Sequence, residues 1–119
     1  MEREVFDKPI ASYQLIQGRL VEMVVEITKA QLLTYHLGRL LDQDKAKPSQ
    51  ISLAKLNNVR EAMKIARKAR DILGARGILA DHHVIRHLCD LEAVSTLEGT
   101  DNIHTLILGQ EITGISAFH

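Results

Sequence analysis

Residues 16–41, IQGRLVEMVVEITKAQLLTYHLGRLL, decide the fold class. Ile16, Leu20, Met23, Ile27, Ala30, Thr34, Leu37 and Leu41 recur at alternating spacings of four and three. All but Thr34 therefore place an apolar group on one stripe of a helix. Val21, Val25, Leu32 and Tyr35 form a second stripe beside the first, which predicts a helix that touches more than one neighbour. The segment is expected to run from about residue 12 to about residue 41, or about 45 Å at a rise of 1.5 Å per residue.

The polar run at residues 42–47 breaks this pattern, and Pro48 followed by Ser49 suits the opening of a second helix, because a first turn tolerates a missing N–H. That helix is expected to reach Leu73. Leu56, Val59, Met63, Ala66 and Leu73 mark one side of it, and Ile51, Ala62, Ile65, Ala69 and Ile72 the other. The alanines let neighbouring helices approach closely. Gly74-Ala75-Arg76-Gly77 ends it, with a glycine where a left-handed cap is needed. A third, shorter helix is expected over residues 83–96, carrying Val84, Leu88, Leu91 and Val94. A fourth begins near Thr100, a suitable N-cap, with Ile103, Leu106 and Ile107 pointing inward. Four helices with short connections predict an all-α, antiparallel up-and-down four-helix bundle.

A chain of 119 residues holds one core, so residues 1–119 read as a single helical domain. Apolar residues make up 45% and aromatics only 3%, which suits a core of packed aliphatic helices. Fifteen basic residues balance fifteen acidic ones, so no long-range field draws the chain to nucleic acid or an anionic membrane. The single cysteine, Cys89, excludes an internal disulfide. Neither a secretory signal nor a membrane span is visible, and the expected location is the cytoplasm, or the mitochondrial matrix in a eukaryote. His83 and His87 have ligand spacing on a helix, but lack a convincing set of partners apart from Asp81 and Asp90, so no metal is expected.

Residues 91–109, LEAVSTLEGTDNIHTLILG, together with residues 69–78, ARDILGARGI, and residues 83–87, HVIRH, resemble the C-terminal domain of the acyl-CoA dehydrogenase family, nearest its glutaryl-CoA branch. Arg3, Phe6, Pro9 and Gln14 resemble the segment that leads into that domain's first helix. The resemblance covers essentially the whole chain, in order. It implies that an N-terminal helical domain and a middle β-domain are missing here, and that the isolated chain is inactive.

The resemblance implies further that Glu98 is the catalytic base that removes the proton alpha to a thioester. Burial against the flavin and the acyl chain would strengthen it as a base. Its backbone N–H would help hold the thioester oxygen. Gly99 would let the substrate pass close by. Thr100 and Asn102 match positions at the flavin nucleotide, Asp71, Gly74 and Ala75 the loop that cradles it, and Arg3 and Gln14 positions that reach the FAD of a partner subunit. The implied partners are further copies of the chain in a dimer or tetramer, the missing domains, an acyl-CoA substrate and an electron-transferring flavoprotein. Three positions depart from the family pattern: Leu97 stands where Tyr is usual, Ala75 where a second glycine is common, and Asp7 where a glycine follows Phe6. The rival expectation is a non-catalytic helical oligomerisation or scaffold module derived from that domain.

Overall fold

The computed structural model describes residues 3–118. The chain opens on a small hairpin of β1 (Glu4–Val5) and β2 (Lys8–Pro9), paired antiparallel with Glu4 opposite Pro9 and Val5 opposite Lys8. Four helices follow: α1 (Gln14–Asp42), α2 (Pro48–Leu73), α3 (Val84–Thr96) and α4 (Asp101–Thr113). The all-α, four-helix expectation holds, with bounds within a residue or two of those read from the sequence.

Local chemistry accounts for these ends. Pro48 occupies the first turn of α2, and the Lys47 N–H is taken up by the Gln50 side-chain oxygen at 2.8 Å. Gly74 ends α2 with φ 58° and ψ −132°, a conformation that a Cβ disfavours. A 3₁₀ segment, Gly74–Ile78, follows. Gly77 within it is buried so tightly that a Cβ would lie 2.4 Å from the Arg70 carbonyl oxygen.

The second helix is the axis of the molecule. It carries the buried Ala54, Leu56, Val59 and Ile72, whereas none of the residues of α1 is fully buried. Glu22–Lys68 and Thr34–Asn58 contacts show α1 antiparallel to α2. Along the other flank of α2 the pairs Arg67–Glu92, Arg60–Asp101 and Lys47–Glu111 follow one another in reverse order. Thus α3 and α4 both run antiparallel to α2, one after the other, and the body is elongated, 58 × 28 × 24 Å. These exposed ion pairs are each worth under about 1 kcal/mol, so they mark register more than they supply stability.

The second stripe of α1 faces outward: Val21, Leu32 and Tyr35 are 62%, 63% and 64% exposed. Ile103, expected to point inward, is exposed, and His104 is the buried residue of that turn. Ile103 lies one position, about 100° of helix, from the line that faces α2. Among the described residues no helix is long and apolar enough to cross a membrane.

Candidate functional site

Two constellations gather the residues singled out above, one at each of two levels of α2. The first is the turn between α3 and α4. Leu97 ends α3 in extended conformation, Glu98 takes a left-handed φ of 54°, and Gly99 follows with φ 96°. A left-handed glutamate costs about 1–2 kcal/mol, so the turn persists only where its surroundings hold it. They do so from both sides. From α2, the Lys55 ammonium donates to the carbonyl of Leu97 and, at 2.5 Å, to that of Gly99. From α4, the His104 ring fills the space a side chain at Gly99 would need: a Cβ there would sit 2.9 Å from Nε2. His104 is buried, and neither ring nitrogen has a hydrogen-bond partner among the described residues.

Thr100 caps α4 as expected, its Oγ1 accepting the Ile103 N–H at 3.4 Å, and Asp101 adds a carboxylate to the first turn, where the helix dipole favours it. Asp101 also accepts from Arg60 Nε at 2.5 Å, which ties the start of α4 to α2. Glu98, Thr100 and Asn102 are exposed. The carboxylate therefore stands in the open, on a turn whose backbone is fixed from behind. Lys55 and His104 were not singled out in the sequence; both sit on helices far from the turn in the chain or one turn beyond it, with no motif to mark them.

The second constellation lies at the C-terminal end of α2. Arg3 Nη1 donates to the Ile72 carbonyl at 2.5 Å, and its guanidinium lies over Gly74, where a Cβ would meet Nη1 at 2.6 Å and Nη2 at 2.7 Å. Gly74 is thus required by its φ, and a side chain there would displace the Arg3 guanidinium from its place. Arg3, Arg76 and His82 line a cleft of about 450 Å³ with the apolar Ile10, Leu20 and Met23. Arg76 and His82 are additions to the sequence-based set. Asp71 is exposed and held by the neighbouring Arg70, Ala75 is exposed in the 3₁₀ segment, and Gln14 is the exposed first residue of α1. Seventeen residues of α2 separate Lys55 from Ile72, about 26 Å at the helical rise. The structure brings Glu98, Gly99, Thr100 and Asn102 together, and Arg3, Asp71, Gly74 and Ala75 together, but keeps the two sets apart.

The histidines at 82, 83 and 87 do not form a cluster. His83 is the left-handed cap of α3, with φ 62°, and is not a member of its regular face. Among the described residues no three His, Cys, Asp or Glu side chains converge as metal ligands would.

The model of the family described as acyl-CoA dehydrogenase, C-terminal domain, matches residues 1–113. The chain belongs to that family. Glutaryl-CoA dehydrogenase from Mycobacterium smegmatis superposes on this acyl-CoA dehydrogenase C-terminal domain with a TM-score of 0.96 and 52% identity, over 99% of this chain and 30% of that one. The complex of glutaryl-CoA dehydrogenase from the same organism with FADH2 gives 0.95 and 51%, over 98% and 30%. Cyclohexane-1-carbonyl-CoA dehydrogenase of Geobacter metallireducens is 31% identical over 93% of this chain and 29% of its own length. The domain thus spans about three tenths of the relatives it matches.

Proposed function

We propose that this domain is the base-bearing part of an FAD-dependent acyl-CoA dehydrogenase of the glutaryl-CoA type, with Glu98 as the carboxylate that removes the substrate's α-proton. The observation that carries this reading is the Glu98 turn: a strained, exposed glutamate held from α2 by Lys55 and from α4 by His104. Strained non-glycine residues cluster where side chains must be aimed, and a carboxylate at the α-carbon of a thioester has that need.

The residues present fit a flavin nucleotide in two places. The N-terminus of α4, with Thr100 and Asn102, offers free N–H groups to an anionic group. The Arg3 guanidinium over Gly74, beside Asp71 and Ala75 and near the start of α1 at Gln14, offers the planar fork that suits a phosphate oxygen pair. About 26 Å of α2 between them favours two different flavins in an oligomer over one. FAD, when bound, supplies the acceptor for the hydride that leaves the β-carbon. The Glu98 carboxylate takes the α-proton, and the Glu98 N–H steadies the charge that develops on the thioester oxygen. Gly99 lines the acyl path. In the glutaryl-type reading decarboxylation follows, and electrons pass to an electron-transferring flavoprotein.

Alone, the domain is inactive in this account. Completed by the N-terminal helical and middle β-domains, it assembles as a dimer or tetramer, which covers the outward stripe of α1. The test is co-production with those domains, followed by a flavin spectrum and addition of glutaryl-CoA. A yellow protein bleached by glutaryl-CoA supports the reading. A well-folded protein that takes up no flavin, or whose flavin no acyl-CoA bleaches, favours the helical scaffold module, for which the departures at Leu97, Ala75 and Asp7 speak.

A further inference from the structure

We propose that Lys55 is a positioning residue for the reaction, acting through the backbone of the Glu98 turn; this rests on the reading of that turn given above. Its ammonium donates to the carbonyls of Leu97 and Gly99, in the peptide that enters Glu98 and the peptide that leaves Gly99. No peptide bond among the described residues is cis. In a planar trans peptide the carbonyl and the following N–H point in opposite directions. Binding the Leu97 carbonyl to α2 therefore turns the Glu98 N–H away from α2. Binding the Gly99 carbonyl does the same for the Thr100 N–H. Neither N–H has an acceptor among the described residues.

Both donors are thus directed away from Lys55, and one side chain orients both. A cation that donates to a carbonyl also polarises the peptide behind it, which makes the next N–H a stronger donor. Lys55 fixes direction and adds polarisation without touching the substrate. An N–H fixed in direction at Glu98, the residue that bears the base, is suited to steadying a developing oxyanion. His104, pressed against Gly99 from the other side, keeps the turn from sliding toward α4.

The test uses the flavin-loaded protein completed by the missing domains, in three forms: native, Lys55→Met and Lys55→Arg. Lys55→Met is expected to lower kcat for glutaryl-CoA by roughly 100-fold, the scale of a lost oxyanion donor, with KM and flavin content little changed. Hydrogen exchange in the peptide spanning residues 93–106, at the Leu97 and His104 amides that donate to Ala93 and Thr100 and bracket the turn, should quicken. Lys55→Arg, whose fork can reach both carbonyls, should restore slow exchange and most of kcat. Native-like kcat in Lys55→Met, or exchange unchanged in that peptide, overturns the proposal. If Lys55→Met does not fold, Lys55→Arg decides: slow exchange kept with kcat supports the proposal, and slow exchange lost with kcat kept refutes it. Should Glu98→Gln leave bleaching intact, the base assignment fails, whereas the exchange rates still report whether Lys55 orders the turn.

Discussion

The ring of His104 occupies the place where a side chain on Gly99 would lie, with Nε2 2.9 Å from an ideal Cβ. Gly99 also has φ 96°, so two independent constraints act on one position. Gly99→Ala is expected to destabilise the domain by about 1–3 kcal/mol. Adding His104→Ala removes the collision but leaves the backbone strain, so the double variant should recover only part of the loss. Chemical denaturation of the single and double variants checks this, and full recovery would show that φ does not matter here.

Glycines elsewhere should behave oppositely to one another. At Gly77 the obstacle is backbone, the Arg70 carbonyl oxygen at 2.4 Å, which cannot swing aside. Gly77→Ala should cost at least about 1–3 kcal/mol. Gly18 lies within α1 with nothing within 4 Å of a Cβ, so Gly18→Ala should gain about 0.5–1 kcal/mol. Thermal unfolding of the two variants should separate them in sign. Equal effects would contradict the packing described at Gly77.

The helices were legible in the sequence because period, proline and glycine agree. The extent of α1, Pro48 at the head of α2 and Thr100 at the head of α4 each fall where the structure has them, whereas the second stripe of α1 faces outward. The β1–β2 hairpin was not legible. Its central residues, Phe6 and Asp7, take φ 53° and 59° without the glycine that announces such a turn. Tyr13 Oη, donating to the Val5 carbonyl at 2.7 Å, helps hold it instead. Ile103 faces outward and His104 inward because period alone does not fix which of two adjacent residues faces a neighbour. Lys55 was illegible for another reason: a lone lysine on a helix has no local sign of the carbonyls it meets 42 and 44 residues later.

A single electrostatic contact in α1 has a clear pH signature. The Lys68 ammonium donates to Glu22 at 2.7 Å, and this bond and its charge hold the Glu22 carboxyl below the usual glutamate value, with Arg19 adding to the effect. A lowered folded-state value means that the contact's contribution is present above the ordinary glutamate value. It is lost as pH falls through the lowered one. The pair is exposed, so its effect on overall stability should be small. Carboxyl NMR should show Glu22 titrating at higher pH in Lys68→Met than in the native chain. An unchanged midpoint would show that the ion pair does not form in solution.

Arg3 joins the hairpin to the end of α2, donating to Ile72 while its fork lines the cleft with Arg76 and His82. If this cleft receives a flavin phosphate, Arg3→Met should weaken FAD binding by the completed protein roughly 10- to 100-fold, the loss of a charge-assisted hydrogen bond. Flavin released on dilution measures it. Retention equal to the native protein would remove Arg3 from the cofactor set.

The central claim is that Glu98 is the base. The most direct measurement is the rate at which glutaryl-CoA bleaches the flavin of the completed protein, compared between native and Glu98→Gln at saturating substrate. The account predicts a rate lower by roughly 100- to 10,000-fold in Glu98→Gln, with flavin content unchanged. Bleaching at the native rate in Glu98→Gln would contradict it.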